Sequence, residues 1–345
     1  MGEVLELDMD ELDLRGALTG VLALAVALAL VSVLGPVAMA AGIAALFVVA
    51  GDAPETRGPD SVQALLVLAG AVITLAVGYS AESAVAATIT ITVVTLAGTL
   101  VAMAGRRPAV AGTYALLWAV VTLGIGSTDE SPAAMALAFV AGGVIALVAL
   151  WLAERVPDPD GEEGGAPDQA DASADDTGGP VPWSIKTFAV ARAVAAGACV
   201  ALGYWLFPDH ATWAALTFVL VLQPPKEQAT VVAVGRTLGT TAGVLLGMAV
   251  ASLVGDQTAV LVVAFMLSGF LMLATKKVNY ALSTTFTTAL LLLAQRLLQD
   301  DVFSTGWTRL AATLLGVVAA FAVLKAMQLA TSRRSSTPAP HDGAP

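Results

Sequence analysis

Long apolar segments separated by short polar ones recur along the chain. A helix needs about 20 apolar residues to cross the core of a bilayer, with a working range of about 17–25. Six candidate spans precede an acidic stretch, at Leu14–Leu34, Val37–Ala50, Val62–Tyr79, Ala84–Ala104, Ala109–Ile125 and Ala133–Ala153. Six more follow it, at Thr187–Leu206, Ala211–Leu222, Thr230–Leu253, Thr258–Ala274, Tyr280–Leu298 and Gly306–Ala330. This pattern predicts an all-α polytopic membrane protein with about twelve transmembrane helices.

The composition excludes an ordinary soluble protein. Hydrophobic residues make up 57% of the 345 residues and charged residues 12%, against roughly 25% charged in a typical soluble domain. The net charge of −11 is unevenly spread, because six of the 27 acidic residues lie in Met1–Asp13 and nine in Glu154–Asp176. The negative charge therefore belongs to a terminus and a linker, and nothing in the chain favours nucleic acid binding.

The same pattern divides the chain into five parts. Residues 1–13 form an acidic cytoplasmic N-terminus, and residues 331–345 form a polar tail. Residues 14–153 and 186–330 each hold six predicted spans. Residues 154–185, rich in Asp, Glu, Gly and Pro, cannot bury enough apolar surface to fold. We predict that this linker and the tail are disordered.

The positions of Lys and Arg predict the orientation, since cytoplasmic loops carry an excess of both residues. With the N-terminus inside, 14 of the 16 Lys and Arg residues lie on the cytoplasmic side, and only Arg296 and Arg309 lie outside. Lys276 and Lys277 are interpreted as determinants of this orientation. We therefore expect both termini in the cytoplasm of a prokaryote, with the protein crossing the plasma membrane many times.

Six spans in each half mean that both halves enter the membrane in the same direction, so a repeat between them is parallel. Arg15 and Arg192 lie 177 residues apart, each near the start of a half. The second span is short in both halves, at Val37–Ala50 and at Ala211–Leu222. Corresponding short spans point to a transport site, although thin or tilted spans would give the same pattern.

An eight-residue motif occurs twice in the second half. Residues 236–243 and 309–316 share Arg at the first position, a small residue at the fourth, Thr at the fifth and Gly at the eighth. These positions lie on one face of a helix. Because the two spans run in opposite directions, the motifs predict an inverted three-plus-three repeat with one arginine near each mouth. The alternative is close helix packing through Gly239, Gly243 and Gly247, with arginines that snorkel.

The stretch from Arg192 to about Met327 resembles the fusaric-acid-resistance-like family, also called integral membrane bound transporters. The residues that carry the likeness are Arg192, the run from His210 through Trp213 and Thr217 to Gln223-Pro224, the motifs that begin at Arg236 and Arg309, and the Thr-rich segment Asn279–Thr288. The first half resembles a degenerate copy, since it lacks the Trp-containing run and the arginine motif.

The resemblance implies export of aromatic or other organic acid anions out of the cytoplasm, driven by the proton gradient. Members of the family look like exporters or resistance determinants for aromatic carboxylic acids, and plant malate channels look like distant relatives. The implied partners are a small organic anion and the lipid bilayer. A homodimer agrees with the likeness, and no cofactor is implied.

Ten residues are predicted to line the substrate path. Arginine pairs with a carboxylate through two hydrogen bonds, which favours Arg192, Arg236 and Arg309 as anion contacts. The others are Trp213, Thr217, Gln223, Pro224, Thr240, Thr284 and Thr288. The alternatives are an interfacial tryptophan belt for Trp213 and threonines that bond their own helix backbone.

Proton coupling needs a titratable group, and the spans have no Asp or Glu at their centres. His210 and Glu82, at outer ends of spans, are the candidates, because His titrates near neutrality. Since His210 is equally well interpreted as an ordinary loop residue, a passive anion channel or facilitator stays open, as does a non-transporting envelope scaffold. The sequence has no HExxH, Gly-x-Ser-x-Gly or Walker A motif, so an enzyme is not predicted.

Overall fold

The computed structural model of the chain describes residues 12–31, 37–50, 61–102, 106–125, 131–155, 185–222, 226–255, 257–298 and 301–335. Within these residues the regular structure is entirely helical, as predicted. The α-helices are α1 (Leu14–Val31), α2 (Val37–Ala50), α3 (Ser61–Ser80), α4 (Ala84–Val101), α5 (Arg106–Ile125), α6 (Pro132–Glu154), α7 (Ile185–Leu206), α8 (Trp213–Val221), α9 (Lys226–Val254), α10 (Thr258–Ala274), α11 (Tyr280–Leu298) and α12 (Val302–Ser335). A 3-10 turn, Pro208–His210, precedes α8.

Polar side chains fix the starts of several helices by accepting hydrogen bonds from backbone N–H groups that the helix itself leaves unpaired. Asp13 Oδ1 accepts from the Gly16 N–H at 2.7 Å before α1. Asp301 Oδ1 accepts from the Ser304 N–H at 3.0 Å before α12. Ser131, with Pro132 in the first turn, caps α6 in the same way.

The outer surface of the bundle is apolar, whereas soluble proteins rarely expose large continuous apolar surfaces to water. On α3 the exposed side chains include Leu65, Leu68 and Val72, each more than 60% exposed. Six described helices are long and apolar enough to cross a membrane, namely α3, α4, α6, α7, α9 and α12. Shorter apolar helices occur within α1, α2, α5 and α10. The protein is therefore a multi-pass membrane protein whose outer side chains face lipid.

Two short helices occupy the interior. Every side chain described in α2, from Ala40 to Ala50, is buried, and so is every residue of α8. A helix that is apolar all round is surrounded by protein or by lipid, and here protein surrounds both helices. These are the second helices of their respective halves, with 14 residues in α2 and nine in α8. Both segments predicted to be short are thus short helices enclosed by protein.

Helix packing in the first half has a counterpart in the second. The pairs α1–α2, α2–α6, α3–α5, α3–α6 and α4–α5 correspond to α7–α8, α8–α12, α9–α11, α9–α12 and α10–α11. The halves meet through α1 against α10 and α7 against α4, which are also equivalent pairs. Gly20 of α1 lies against Leu273, and Gly197 of α7, 177 residues later, lies against Thr92. The contact between the halves therefore uses matching positions of each.

Contacts at the helix ends define two faces of the bundle. At the first, called the linker face, the Lys276 ammonium donates to the Ala50 carbonyl, and Lys277 Nζ lies 3.4 Å from Asp13 Oδ2. The start of α1 and the ends of α2 and α10 thus meet there. At the opposite end, called the distal face, the Thr212 hydroxyl donates to the Val120 carbonyl at 3.0 Å, which joins the start of α8 to the end of α5.

The described helices agree with the predicted spans to within a few residues at most ends. The clearest difference is α12, which continues to Ser335 and so includes five residues of the predicted tail. A hydropathy pattern marks apolar chain, whereas a helix ends only where its backbone hydrogen bonds end. The predictions for residues 1–11, 156–184 and 336–345 lie outside the described residues, and so do those for Gln223 and Pro224.

Candidate functional site

A cavity of about 310 Å³ lies between the two halves of the bundle. Its volume is at the lower end of the range of about 300–1,000 Å³ that small-molecule sites occupy. It is lined by Phe47, Ala50, Thr113, Tyr114, Leu117, Val121, Leu216, Leu220, Arg236, Met272, Leu273, Lys276, Tyr280, Ser283, Thr284, Thr287 and Leu291. Helices α2 and α5 of the first half and α8 to α11 of the second therefore form its wall.

The wall of the cavity is positively charged. Arg236 and Lys276 contribute two cations, and the lining residues that the structure describes include no Asp or Glu. Arg236 is 5% exposed, and its Nε is buried without a hydrogen-bond partner among the described residues. A guanidinium at the centre of a membrane helix costs about 2.5–3.5 kcal/mol. An anion in the cavity would offset that cost.

Lys276 lies at the end of the cavity nearest the linker face. Its ammonium donates to the Ala50 carbonyl at the end of α2 and lies 5.4 Å from the centre of the Tyr114 ring. A cation over an aromatic face is attracted by the ring quadrupole. Lys276 therefore joins both halves at one end of the cavity, a contact that its interpretation as an orientation determinant did not predict.

Hydroxyl groups of α11 follow one side of the cavity. Thr284 and Thr287 line it one turn apart, with Ser283 beside them. The Ser283 hydroxyl donates to the Met272 carbonyl at 3.1 Å, and the Thr287 hydroxyl donates to the Ser283 carbonyl at 2.7 Å. Two of these hydroxyls thus donate to backbone carbonyls. Thr284, which is 3% exposed, is the predicted path residue of α11 that lines the cavity.

A glycine stripe on α9 sets the position of Arg236. A Cβ added at Gly239 would lie 2.8 Å from Thr284 Cβ, and one added at Gly243 would lie 2.6 Å from Thr288 Cβ. Small residues of this spacing let two membrane helices approach to backbone contact. The packing interpretation of these glycines is therefore correct, and the same contact holds Arg236 opposite the hydroxyl side of α11.

A second cluster of predicted residues lies near the distal face, outside the cavity wall. The rings of His210 and Trp213 stack with centroids 4.2 Å apart and an interplanar angle of 5°. The guanidinium carbon of Arg309 lies 4.7 Å from the centre of the Trp213 ring. Trp213 is 6% exposed, so it lies inside the protein and does not belong to a belt at the lipid interface.

The guanidinium of Arg192 is hydrogen-bonded to other residues of the protein and does not line the cavity. Its Nη1 donates to Thr99 Oγ1 at 3.1 Å and its Nη2 donates to the Val219 carbonyl at 2.8 Å. Thr99 lies in α4 of the first half and Val219 in α8 of the second. Arg192 therefore links three helices from both halves, and it does not line the cavity.

The remaining predicted residues are dispersed. Thr217 lies against Gly316 where α8 meets α12, and Thr240 and Thr288 are fully buried outside the cavity lining. Glu82 is exposed in the turn between α3 and α4. Of the eight predicted path residues that the structure describes, the cavity brings together Arg236 and Thr284.

Sequence reasoning missed the first-half side of the cavity. Phe47 and Tyr114 line it together with Tyr280 of α11, giving it three aromatic side chains. The signal that could have found Phe47 was the short second span, since the parallel repeat places α2 opposite α8. Nothing in the pattern near Tyr114 distinguishes it from any other aromatic residue of a span.

Residues 186–323 match the family model described as fusaric acid resistance protein-like. No curated protein and no solved structure matches the chain. The matched stretch covers α7 to α11 and most of α12, and so contains Arg192, Trp213, Arg236 and Arg309. The resemblance deduced from the arginine motifs and the Trp-containing run is thereby confirmed for residues 186–323, which are similar to fusaric acid resistance protein-like proteins.

Proposed function

We propose that this protein carries organic acid anions across the membrane through the cavity between its halves. The observation that carries the proposal is the cavity wall, which combines Arg236 and Lys276 with three aromatic rings and has no carboxylate among its described residues. The two cations attract the carboxylate of an organic acid, and the aromatic rings and leucines pack against the apolar part of the same molecule. The match to a fusaric acid resistance protein-like family supports the same class of substrate.

The helix packing supports an arrangement in which twelve spans form two parallel six-helix halves. The equivalent helix pairs, and the equivalent places of Gly20 and Gly197, fit a two-fold relation between the halves. Many transporters place the substrate at the interface of such repeats, next to short or broken helices. Here α2 and α8 are the short helices, and both contribute to the cavity wall.

Export and proton coupling extend the proposal. The excess of Lys and Arg favours the linker face as the cytoplasmic one, and the cavity reaches that face at Lys276. An anion would therefore enter from the cytoplasm. His210, buried and stacked on Trp213, is the candidate for proton coupling, since Glu82 lies in an exposed turn.

The test is uptake of radiolabelled benzoate by proteoliposomes, with an imposed pH gradient or an imposed voltage. We expect Arg236→Gln and Lys276→Gln each to lower the initial rate at least tenfold. Tenfold corresponds to about 1.4 kcal/mol, just below the contribution of about 1.5–3 kcal/mol of a charge-assisted hydrogen bond, so loss of one such bond is enough to give it. Lys325→Gln is the matched control, because this exposed lysine of α12 lies outside the cavity wall and its loss removes the same charge.

The driving force decides between the two transport mechanisms. Uptake that requires the pH gradient supports proton-linked export, whereas uptake that follows voltage at equal pH supports a passive channel or facilitator. If folded protein moves no acid of an aromatic panel, the transport proposal is wrong and a scaffold role remains.

A further inference from the structure

The side chain of Arg309 is buried without hydrogen bonds. It is 2% exposed, and its Nε, Nη1 and Nη2 atoms have no hydrogen-bond partner among the residues that the structure describes. A guanidinium has five N–H donors and cannot lose its charge in a protein. Buried polar groups are nearly always hydrogen-bonded, so a group of this kind requires an explanation.

Packing alone does not explain why the Arg309 guanidinium is buried without hydrogen bonds. The guanidinium carbon of Arg309 lies 4.7 Å from the centre of the Trp213 ring, and the ring attracts the positive charge. The ring face does not accept hydrogen bonds from the N–H groups that lie in the plane of the guanidinium. The other cation nearby is Arg236, whose electrostatic interaction with Arg309 is repulsive. Arg192 differs, because its Nη1 and Nη2 donate to a hydroxyl and a carbonyl and only its Nε has no partner among the described residues.

The register of α9 and α12 gives the position of Arg309 relative to the cavity. A Cβ added at Gly306 would lie 3.0 Å from both Val244 Cγ1 and Met248 Sδ, so this part of α12 lies beside that turn of α9. Because the two helices run in opposite directions, Arg309 is level with about Gly243. With a rise of 1.5 Å per residue, its backbone lies about 10 Å beyond Arg236 toward the distal face.

We propose that Arg309, stacked on Trp213, is a second anion-binding position between the cavity and the distal face. It takes a small monovalent anion, either the carboxylate of the transported acid or a halide. This inference deepens the proposed function, since the carboxylate would pass from Arg236 to Arg309, but binding at Arg309 does not require that transport occurs. Repulsion between the two arginines favours an anion next to either of them.

The experiment measures iodide binding to the purified full-length chain in detergent, at constant ionic strength. Iodide quenches indole fluorescence on contact, so an anion bound at Arg309 quenches Trp213 in a saturable manner. The exposed Trp205 and Trp307 give only quenching that rises without saturation. We expect the saturable component in the native protein and its loss in Trp213→Phe.

Substitution of the arginines distinguishes two positions from one. Arg309→Gln should raise the dissociation constant for iodide at least about tenfold, as expected for loss of a charge-assisted contact, and Arg309→Lys should raise it by less. Arg236→Gln should leave it within about threefold while it abolishes benzoate uptake. If Arg309→Gln does not fold, Arg309→Lys decides, because it retains the charge without the planar donor set.

Competition identifies the anion. Displacement of iodide by benzoate but not by neutral benzamide places the carboxylate at Arg309 and supports the two-position path. Displacement by chloride but not by benzoate supports the anion site and overturns the transfer of substrate from Arg236. Absence of saturable quenching in the native protein, or an unchanged dissociation constant in the Arg309 variants, overturns the site itself, whatever the uptake assay shows.

Discussion

Three buried arginines of the second half differ in what their guanidinium groups contact. Arg192 bonds to a hydroxyl and a carbonyl, Arg236 lines the cavity, and Arg309 stacks on Trp213. A buried charge that is hydrogen-bonded to protein stabilises the fold, whereas one that is not has capacity left for a ligand. The same residue type at similar depth in a helix is therefore expected to have different roles.

For Arg192 the contacts predict a loss of stability on substitution. Arg192→Gln removes two hydrogen bonds that join α7 to α4 and α8, and the Val219 carbonyl loses the donor that Arg192 Nη2 provides. We expect it to reduce the free energy of unfolding by about 2 kcal/mol, measured by thermal unfolding in detergent. Thr99→Val, which removes one of these bonds, should have a smaller effect in the same direction.

A different outcome would support the prediction from the sequence that Arg192 contacts the transported anion. If Arg192→Gln unfolds like the native protein but no longer transports benzoate, Arg192 contacts the anion, as its place in the family-like motif predicted.

At the scale of the helices, close contact between α9 and α11 holds Arg236 in place. We expect Gly243→Ala to destabilise the protein by about 1–3 kcal/mol, the usual effect of overpacking, because its Cβ would collide with the Thr285 carbonyl and lie 2.6 Å from Thr288 Cβ. Gly235→Ala on the same stripe is the control, since its Cβ would lie 3.0 Å from the side chain of Tyr280 and no closer than 3.8 Å to the backbone of Ala281. Equal unfolding temperatures for the two variants would contradict this account of the contact.

The short helices α2 and α8 show which features of an apolar segment the sequence predicts and which it does not. Their apolar composition and their lengths were visible in the chain, and so was the equivalence of their places in the two halves. Their burial was not, because a helix that is apolar all round can face lipid or protein. Only packing against α6 and α12 decides between these environments.

At the scale of the whole molecule, the first half is part of the site. Its residues Phe47 and Tyr114 line the cavity, and α1 and α4 pack directly on α10 and α7. These contacts lie within the bundle and do not depend on the covalent link between the halves.

We therefore expect a chain divided within the linker to function when both parts are present. Residues 1–170 and 171–345, expressed together, should copurify and transport benzoate at a rate within about threefold of the intact chain. That factor corresponds to less than 1 kcal/mol. Residues 171–345 alone should show no uptake, and uptake by that part alone would mean that the first half only braces the second.

The sequence by itself determined the helical class, the approximate ends of most described helices and the resemblance of residues 186–323 to the fusaric acid resistance protein-like family. These features follow from local apolar length and from short motifs, which depend on neighbouring residues only. It also identified Arg236 and Arg309, since charge within an apolar span is conspicuous wherever it packs. It did not determine that Arg192 donates to Thr99 and Val219, that Lys276 reaches Ala50 and Tyr114, or that Trp213 is buried under Arg309. Those contacts join residues on or next to different helices, some within the second half and some between the halves, so only the packing of the helices brings them together.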